Sequence, residues 1–160
     1  MERMIEILKK ELEIYQEMLK ISENKTDIIV KDKVDELQEM TNCEEEFVKQ
    51  FIGLEKERIQ IVKNFAAEKG LGEQILKVSE ISEYFPEQKD ELMNLRKEIL
   101  AVIEKIKVKN ELNGKLLKNS LEYINFSVGL ATGTSAGNGL YGQSGSAVKG
   151  EAKKFFDISL

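Results

Sequence analysis

The stretch LMNLRKEILAVIEKIKVKNELNGKLLKNSLEYINFSV, residues 92–128, decides the fold. One stripe steps by three and four through Leu92, Leu95, Ile99, Val102, Ile106, Lys109, Asn113, Leu116, Ser120 and Tyr123. A neighbouring stripe adds Leu100, Ile103, Leu117, Leu121, Ile124 and Val128. That period belongs to a helix. At ~1.5 Å rise per residue, a helix covering residues 86–128 is roughly 60 Å long. Such a helix does not stand on propensity alone and needs partner helices to cover it.

The preceding sequence supplies them. In the first segment Ile5, Leu8, Leu12, Tyr15, Leu19, Ser22, Thr26 and Ile29 keep the same spacing. Asp32 followed by Asp35 resembles an N-cap with an acidic first turn, so a break is expected near residues 30–32. The second segment runs from about residue 33 to 69. Its stripe is Leu37, Met40, Glu44, Phe47, Phe51, Leu54, Arg58, Ile61 and Phe65, and Gly70 and Gly72 supply a stop. Residues 73–83 read as a short helix. Pro86 suits the first position of a new helix, with Glu87 and Asp90 in its first turns.

Composition separates this body from a different tail. Residues 1–128 hold four of the 11 glycines, and residues 129–150 hold the other seven among Ser, Ala, Thr and Asn. So polar and small a stretch buries too little apolar area to offset its ordering entropy, and a flexible tether is expected. The last ten residues, EAKKFFDISL, turn charged and apolar again. The expected fold is therefore all-α. It is an elongated antiparallel helical hairpin or coiled-coil bundle of three long helices plus a short connecting helix, with a flexible C-terminal tail. Residues 1–128 are the body and residues 129–160 the tail.

Charge suggests how the helices pair. Residues 32–60 carry nine acidic and four basic side chains. Residues 104–118 carry Lys105, Lys107, Lys109, Lys115 and Lys118 against Glu104 and Glu111. Folding the chain back near residue 77 sets Glu44, Glu45 and Glu46 opposite Lys107 and Lys109. That favours a hairpin of the second and third segments, with the first packed alongside.

The absences narrow the chemistry. With no His, a His triad or His–metal site is excluded. Cys43 is the single cysteine, so no intrachain disulfide forms, and without an activating neighbour it reads as an inert, partly buried thiol. The consecutive Glu44, Glu45 and Glu46 point about 100° apart on a helix and read as a solvated face. The glycines of the tail form neither GxxxxGK[ST] nor GxGxxG. No enzyme, metal or cofactor is expected. The net charge of −5 argues against a nucleic-acid surface. No apolar run approaches the ~18 residues of a membrane span, and the first residues do not form a signal-peptide core. The expected location is the cytoplasm.

Two features leave alternatives open. Arg58 and Glu44 interrupt a core stripe, most simply with their head groups in water, otherwise as a buried ion pair or partner contact. Lys109, Asn110, Asn113 and Gly114 form a polar belt across the third helix. It is a register-setting layer or an exposed patch, or it marks the end of the bundle. In the last case Leu116, Leu117, Leu121, Tyr123, Ile124, Phe126 and Val128 project beyond their cover as a helix-in-groove recognition face.

The run Asn113-Gly-Lys-Leu116-Leu117-Lys-Asn-Ser120-Leu121-Glu-Tyr123-Ile124 resembles the N-x-x-L-L-x-x-S-L-x-Y-I pattern of the FlgN family of flagellar export chaperones. Leu54-Glu55-Lys56-Glu57-Arg58 is similar to that family's L-E-x-x-R, and Tyr141-Gly142 to its Y-G in a Gly/Ser-rich linker. The ending Phe156-Asp157-Ile158-Ser159-Leu160 resembles a D-x-K-V-type terminus, with Ser159 in place of Lys. The resemblance follows nearly the whole chain in order.

It implies a cytoplasmic chaperone of flagellar type III export. Its cargo would be the hook–filament junction proteins FlgK and FlgL, held by their C-terminal helical regions. Its docking point at the export gate would be the cytoplasmic domain of FlhA. Carried over by motif, the cargo candidates are Asn113, Leu116, Leu117, Leu121, Tyr123, Ile124 and Val128, and the gate candidate is Tyr141. Neither nucleic acid nor membrane insertion is implied. The alternative is a structural coiled-coil scaffold, or another small helical component of the export apparatus.

Overall fold

A computed structural model describes residues 1–72 and 76–132. Among them are four helices and no strand: α1 (Glu2–Val30), α2 (Val34–Glu68), α3 (Val78–Ser82) and α4 (Lys89–Thr132). The all-α expectation holds, with three long helices and a short connector. The expected short helix over 73–83 is found as α3 over Val78–Ser82 only: residues 76, 77 and 83 are described and not helical, and residues 73–75 lie outside the described residues. Nearly all of the tail does too, and α4 runs four residues into it, through Thr132.

The turns follow from local chemistry. After α1 the N–H of Lys33 bonds the carbonyl of Ile28 and that of Asp32 bonds Ile29. This is a Schellman closure, with Asp32 at φ 52° in the left-handed position. Asp32 is therefore the residue that turns the chain out of α1, not the N-cap its spacing suggested; Lys33 precedes α2, whose first turn carries Asp35 and Glu36. The same closure ends α2. Leu71 N–H bonds Ala66, Gly70 N–H bonds Ala67, and Gly70 sits at φ 67°. Pro86 falls outside α4, inside the turn that Gln88 N–H closes on the Phe85 carbonyl. Its fixed φ suits that turn equally well.

The packing differs from the pairing that charge suggested. α1 lies at the centre. Arg3 meets Glu57, the Tyr15 ring packs tilted against Phe51 at 5.1 Å, and Lys25 meets Glu44, so α1 and α2 run antiparallel. Lys9 meets Glu91, Ser22 meets Asn110, and Thr26 meets Asn113, so α1 and α4 run parallel. No Cα atom of α2 lies within 8 Å of one in α4. The hairpin is thus α1 with α2, and Glu44 pairs with Lys25 rather than with the lysines of α4. The reason lies in α1. Beside the stripe read from the sequence runs a second one, Met4, Ile7, Glu11, Ile14 and Ile21, also buried. A helix with two apolar seams belongs between two partners.

One core cluster joins the layers. Met4, Leu8, Leu12 and Tyr15 of α1 pack with Phe51, Val62 and Ala66 of α2 and with Leu92, Leu95, Ile99, Ile103 and Ile106 of α4. At the far end Phe65 meets Tyr84 edge-on at 5.2 Å and Phe85 at 5.4 Å, and Leu76, Val78 and Ile81 close the base. Cys43 is exposed, not partly buried, because it lies off the α2 stripe.

Candidate functional site

Two polar layers cross the apolar core, and they behave differently. The first joins α1 to α2. Arg58 is buried and bonds Glu55 through two parallel contacts of 2.6 and 2.7 Å, with Glu11 at 3.9 Å. The reading of Arg58 as a water-facing exception is therefore corrected: its guanidinium is a buried ion-pair centre. Burial opposes that charge, but the Glu55 bond and the two carboxylates outweigh it and raise the Arg58 pKa. Glu11 fares differently. Its Oε1 is buried without a hydrogen-bond partner, and burial pushes its carboxyl up to about 7 against the pull of Arg58. Burial likewise raises the Tyr15 phenol beside it.

The second layer joins α1 to α4. The Asn113 Nδ2 amide donates to the Ser22 carbonyl at 2.8 Å, and Thr26 Oγ1 donates to Asn113 Oδ1 at 2.7 Å. Ser22 Oγ donates to Asn110 Oδ1 at 3.0 Å. Asn113 is 5% exposed, and both ends of its amide are used inside the bundle. The belt is a register-setting layer.

It also stands at the end of the bundle. Asn113 is level with Thr26, and α1 ends four residues later at Val30, level with Leu117. α4 continues to Thr132, so about 22 Å of helix runs past the end of its central partner. The side chains there follow suit. Leu116 is half-buried and Leu117 37% exposed, while Leu121, Ile124, Phe126 and Val128 are more than half exposed. Tyr123 reaches 73%. The continuous apolar stripe of α4 is covered up to residue 113 and open beyond it. Leu121 to Val128 thus lie together on the overhang, Leu116 and Leu117 at its root, and Asn113 apart from them within the bundle. Tyr141 lies outside the described residues.

Sequence reasoning left out Leu130, 70% exposed on the same overhang, because composition placed the boundary at residue 128. It also left out Val30 and Val34, exposed at the tip between α1 and α2. Their exposure depends on where α1 ends relative to α4, which periodicity does not carry.

Among the described residues no group of three or more metal-ligating side chains is placed to hold an ion. No described helix is long and apolar enough to cross a membrane. The arrangement offers an apolar helix face to another helix.

Comparison with known proteins agrees with the family resemblance. The curated protein YvyG of Bacillus subtilis (strain 168), itself described as uncharacterized, is 27% identical over 123 residues, 77% of this chain and 75% of its own. No solved structure matches the chain. The family model described as FlgN protein matches residues 1–149, the helical body and the segment that carries Tyr141. The chain belongs to the FlgN family, the family of flagellar export chaperones.

Proposed function

We propose that this chaperone acts in the cytoplasm, holds the C-terminal helical regions of the hook–filament junction proteins FlgK and FlgL, and delivers them to the export gate. The cargo helix lies on the α4 overhang against Leu116, Leu117, Leu121, Tyr123, Ile124 and Val128. Asn113 contributes from behind, by holding the root of the overhang to α1. Tyr141 is the anchor for the cytoplasmic domain of FlhA.

The observation that supports this reading is the apolar stripe of α4, covered by α1 up to Asn113 and open from Leu121 onward. Two amphipathic helices that each leave an apolar face in water bury it on one another, and no nucleotide is needed. Cargo is thereby kept from premature assembly. Tyr141 follows the body in the Gly-rich sequence, so cargo holding and gate docking fall on separate segments of the chain.

Calorimetric titration of the full chain with C-terminal segments of FlgK and FlgL from the same organism tests the proposal. Sub-micromolar binding near one to one, with a negative heat-capacity change, is the expected result. No binding to either segment, from a folded and monodisperse sample, turns the reading toward a structural coiled-coil protein or a chaperone for another cargo.

A further inference from the structure

The α4 overhang is the continuation of an interface that the protein already uses. Ile103, Asn110, Leu117 and Ile124 recur at heptad spacing, as do Ile106, Asn113, Ser120 and Ser127. Asn110 and Asn113 of these two rows bond α1 directly. Beyond Val30 the same two rows run on with nothing of α1 left to meet them. Small Ser120 and Ser127, both half-buried, lie between Leu116, Tyr123 and Leu130 on one side and Leu117, Ile124 and Val128 on the other. A small-residue row between apolar walls is what a packed helix inserts into.

The place left open along the axis of α1 has a second wall. Lys25 is level with Glu44 on antiparallel α2, so α2 begins slightly past the end of α1. Val34 stands on the first turn of α2 at 73% exposure, and Val30 on the last turn of α1 at 64%. The charge pattern is equally specific. Residues 119–132 contain one charged side chain, Glu122, and it sits 3.8 Å from Lys118.

We infer that a single partner helix takes the place of α1 beyond Val30. It packs on the Ser120–Ser127 row and abuts a step formed by Val30 and Val34. This rests on the cargo reading above and adds to it the seat and the charge of the recognised segment. The partner face is apolar and uncharged, because a charged group set against this row would lose its hydration with no counter-charge to meet it. A second copy of the chain fits the step less well: two overhangs laid side by side cover each other's rows and leave both valines in water.

The test uses the full chain and synthetic C-terminal segments of FlgK and FlgL. Val30→Lys and Val34→Asp are combined in one variant. Each charge is the sign favoured at its own helix end, so the fold is preserved. The expected result is unchanged helicity and segment affinity weakened about tenfold or more, equivalent to about 1.4 kcal/mol. Raising salt from about 50 to about 500 mM should change wild-type affinity less than about twofold, since few ions are released on apolar contact. Wild-type binding that ignores the double variant, or that falls tenfold with salt, overturns the seat and leaves the cargo reading standing. Absence of wild-type binding overturns both. A stable dimer of the free chain that dissociates on Leu121→Asp, with no response at Val30 and Val34, assigns the row to a second copy.

Discussion

Thr26 of α1 and Asn113 of α4 are joined by a 2.7 Å hydrogen bond, and that pair sets the register of the two parallel helices. Above it the α4 stripe is core; below it the same stripe opens through half-buried Leu116 and Ser120 to Tyr123, 73% exposed. A buried amide that uses its oxygen on Thr26 and its nitrogen on the Ser22 carbonyl has one position along α1 in which both bonds form. Apolar seams alone allow neighbouring registers of similar energy.

Replacing Asn113 by Ala should lower stability by about 1–3 kcal/mol, because the Ser22 and Thr26 partners lose their mate inside the bundle. Urea denaturation followed by circular dichroism measures it. A loss below a few tenths of a kcal/mol would show that water replaces the amide and that the layer does not set register.

Glu11 should make stability fall as pH rises. Its carboxyl is raised to about 7 in the fold, against about 4.5 for an ordinary glutamate. The folded chain therefore holds a proton that the unfolded chain releases between those values. The resulting stabilisation is complete below about pH 4.5 and is lost as pH rises through 7. Its ceiling is about 3 kcal/mol on that difference. Other carboxylates titrate as well, so the useful quantity is the difference between wild type and Glu11→Gln. The variant should be the more stable at pH 8, and its advantage should vanish near pH 4.5. An advantage that stays constant with pH would mean that Glu11 remains ionised beside Arg58.

Leu117→Asp or Ile124→Asp should abolish binding of the junction-protein segments with little loss of helicity. Both side chains lie on the overhang or at its root, and neither belongs to the buried cluster. Calorimetry and circular dichroism on the same sample separate the outcomes. Unfolding of either variant would show the stripe to be core.

Tyr141→Ala should leave segment affinity intact and weaken docking to the cytoplasmic domain of FlhA. One aromatic side chain carries much of the energy of a small contact. Pull-down of the cargo-loaded chaperone on that domain reads the second effect. Equal loss of both activities would show that cargo holding and gate docking do not separate.

Gly70→Ala should cost about 1 kcal/mol although a methyl group there meets no atom within 4 Å. Gly70 closes α2 at φ 67°, so the cost is backbone strain and not crowding. Thermal denaturation checks it, with Gly53→Ala, a mid-helix position equally free of neighbours, as the stabilising control.

Much of the molecule is legible from local pattern. The stripes of α2 and α4, the glycine stop after Glu68 and the break after Val30 each depend on a few neighbouring residues. Three-and-four spacing and left-handed turn positions act over a single turn of chain. The second seam of α1 was equally visible as Met4, Ile7, Glu11, Ile14 and Ile21, but Glu11 in its middle disguised it as a polar interruption. Arg58 misled in the same way, since a charge at a stripe position reads as a surface exception until its partners are known.

The sequence by itself determined the helices, their apolar faces and an open question at Asn113, because those follow from periodicity and turn chemistry. The tertiary structure decided which helix lies in the centre, where Glu44 and Arg58 find their counter-charges, and where the cover of α4 stops. Apolar stripes of similar width fit one another in several pairings, and only simultaneous packing of all three long helices selects one. The open face beyond Asn113 exists because α1 turns at Asp32 while α4 runs on, a relation between residues far apart in the chain.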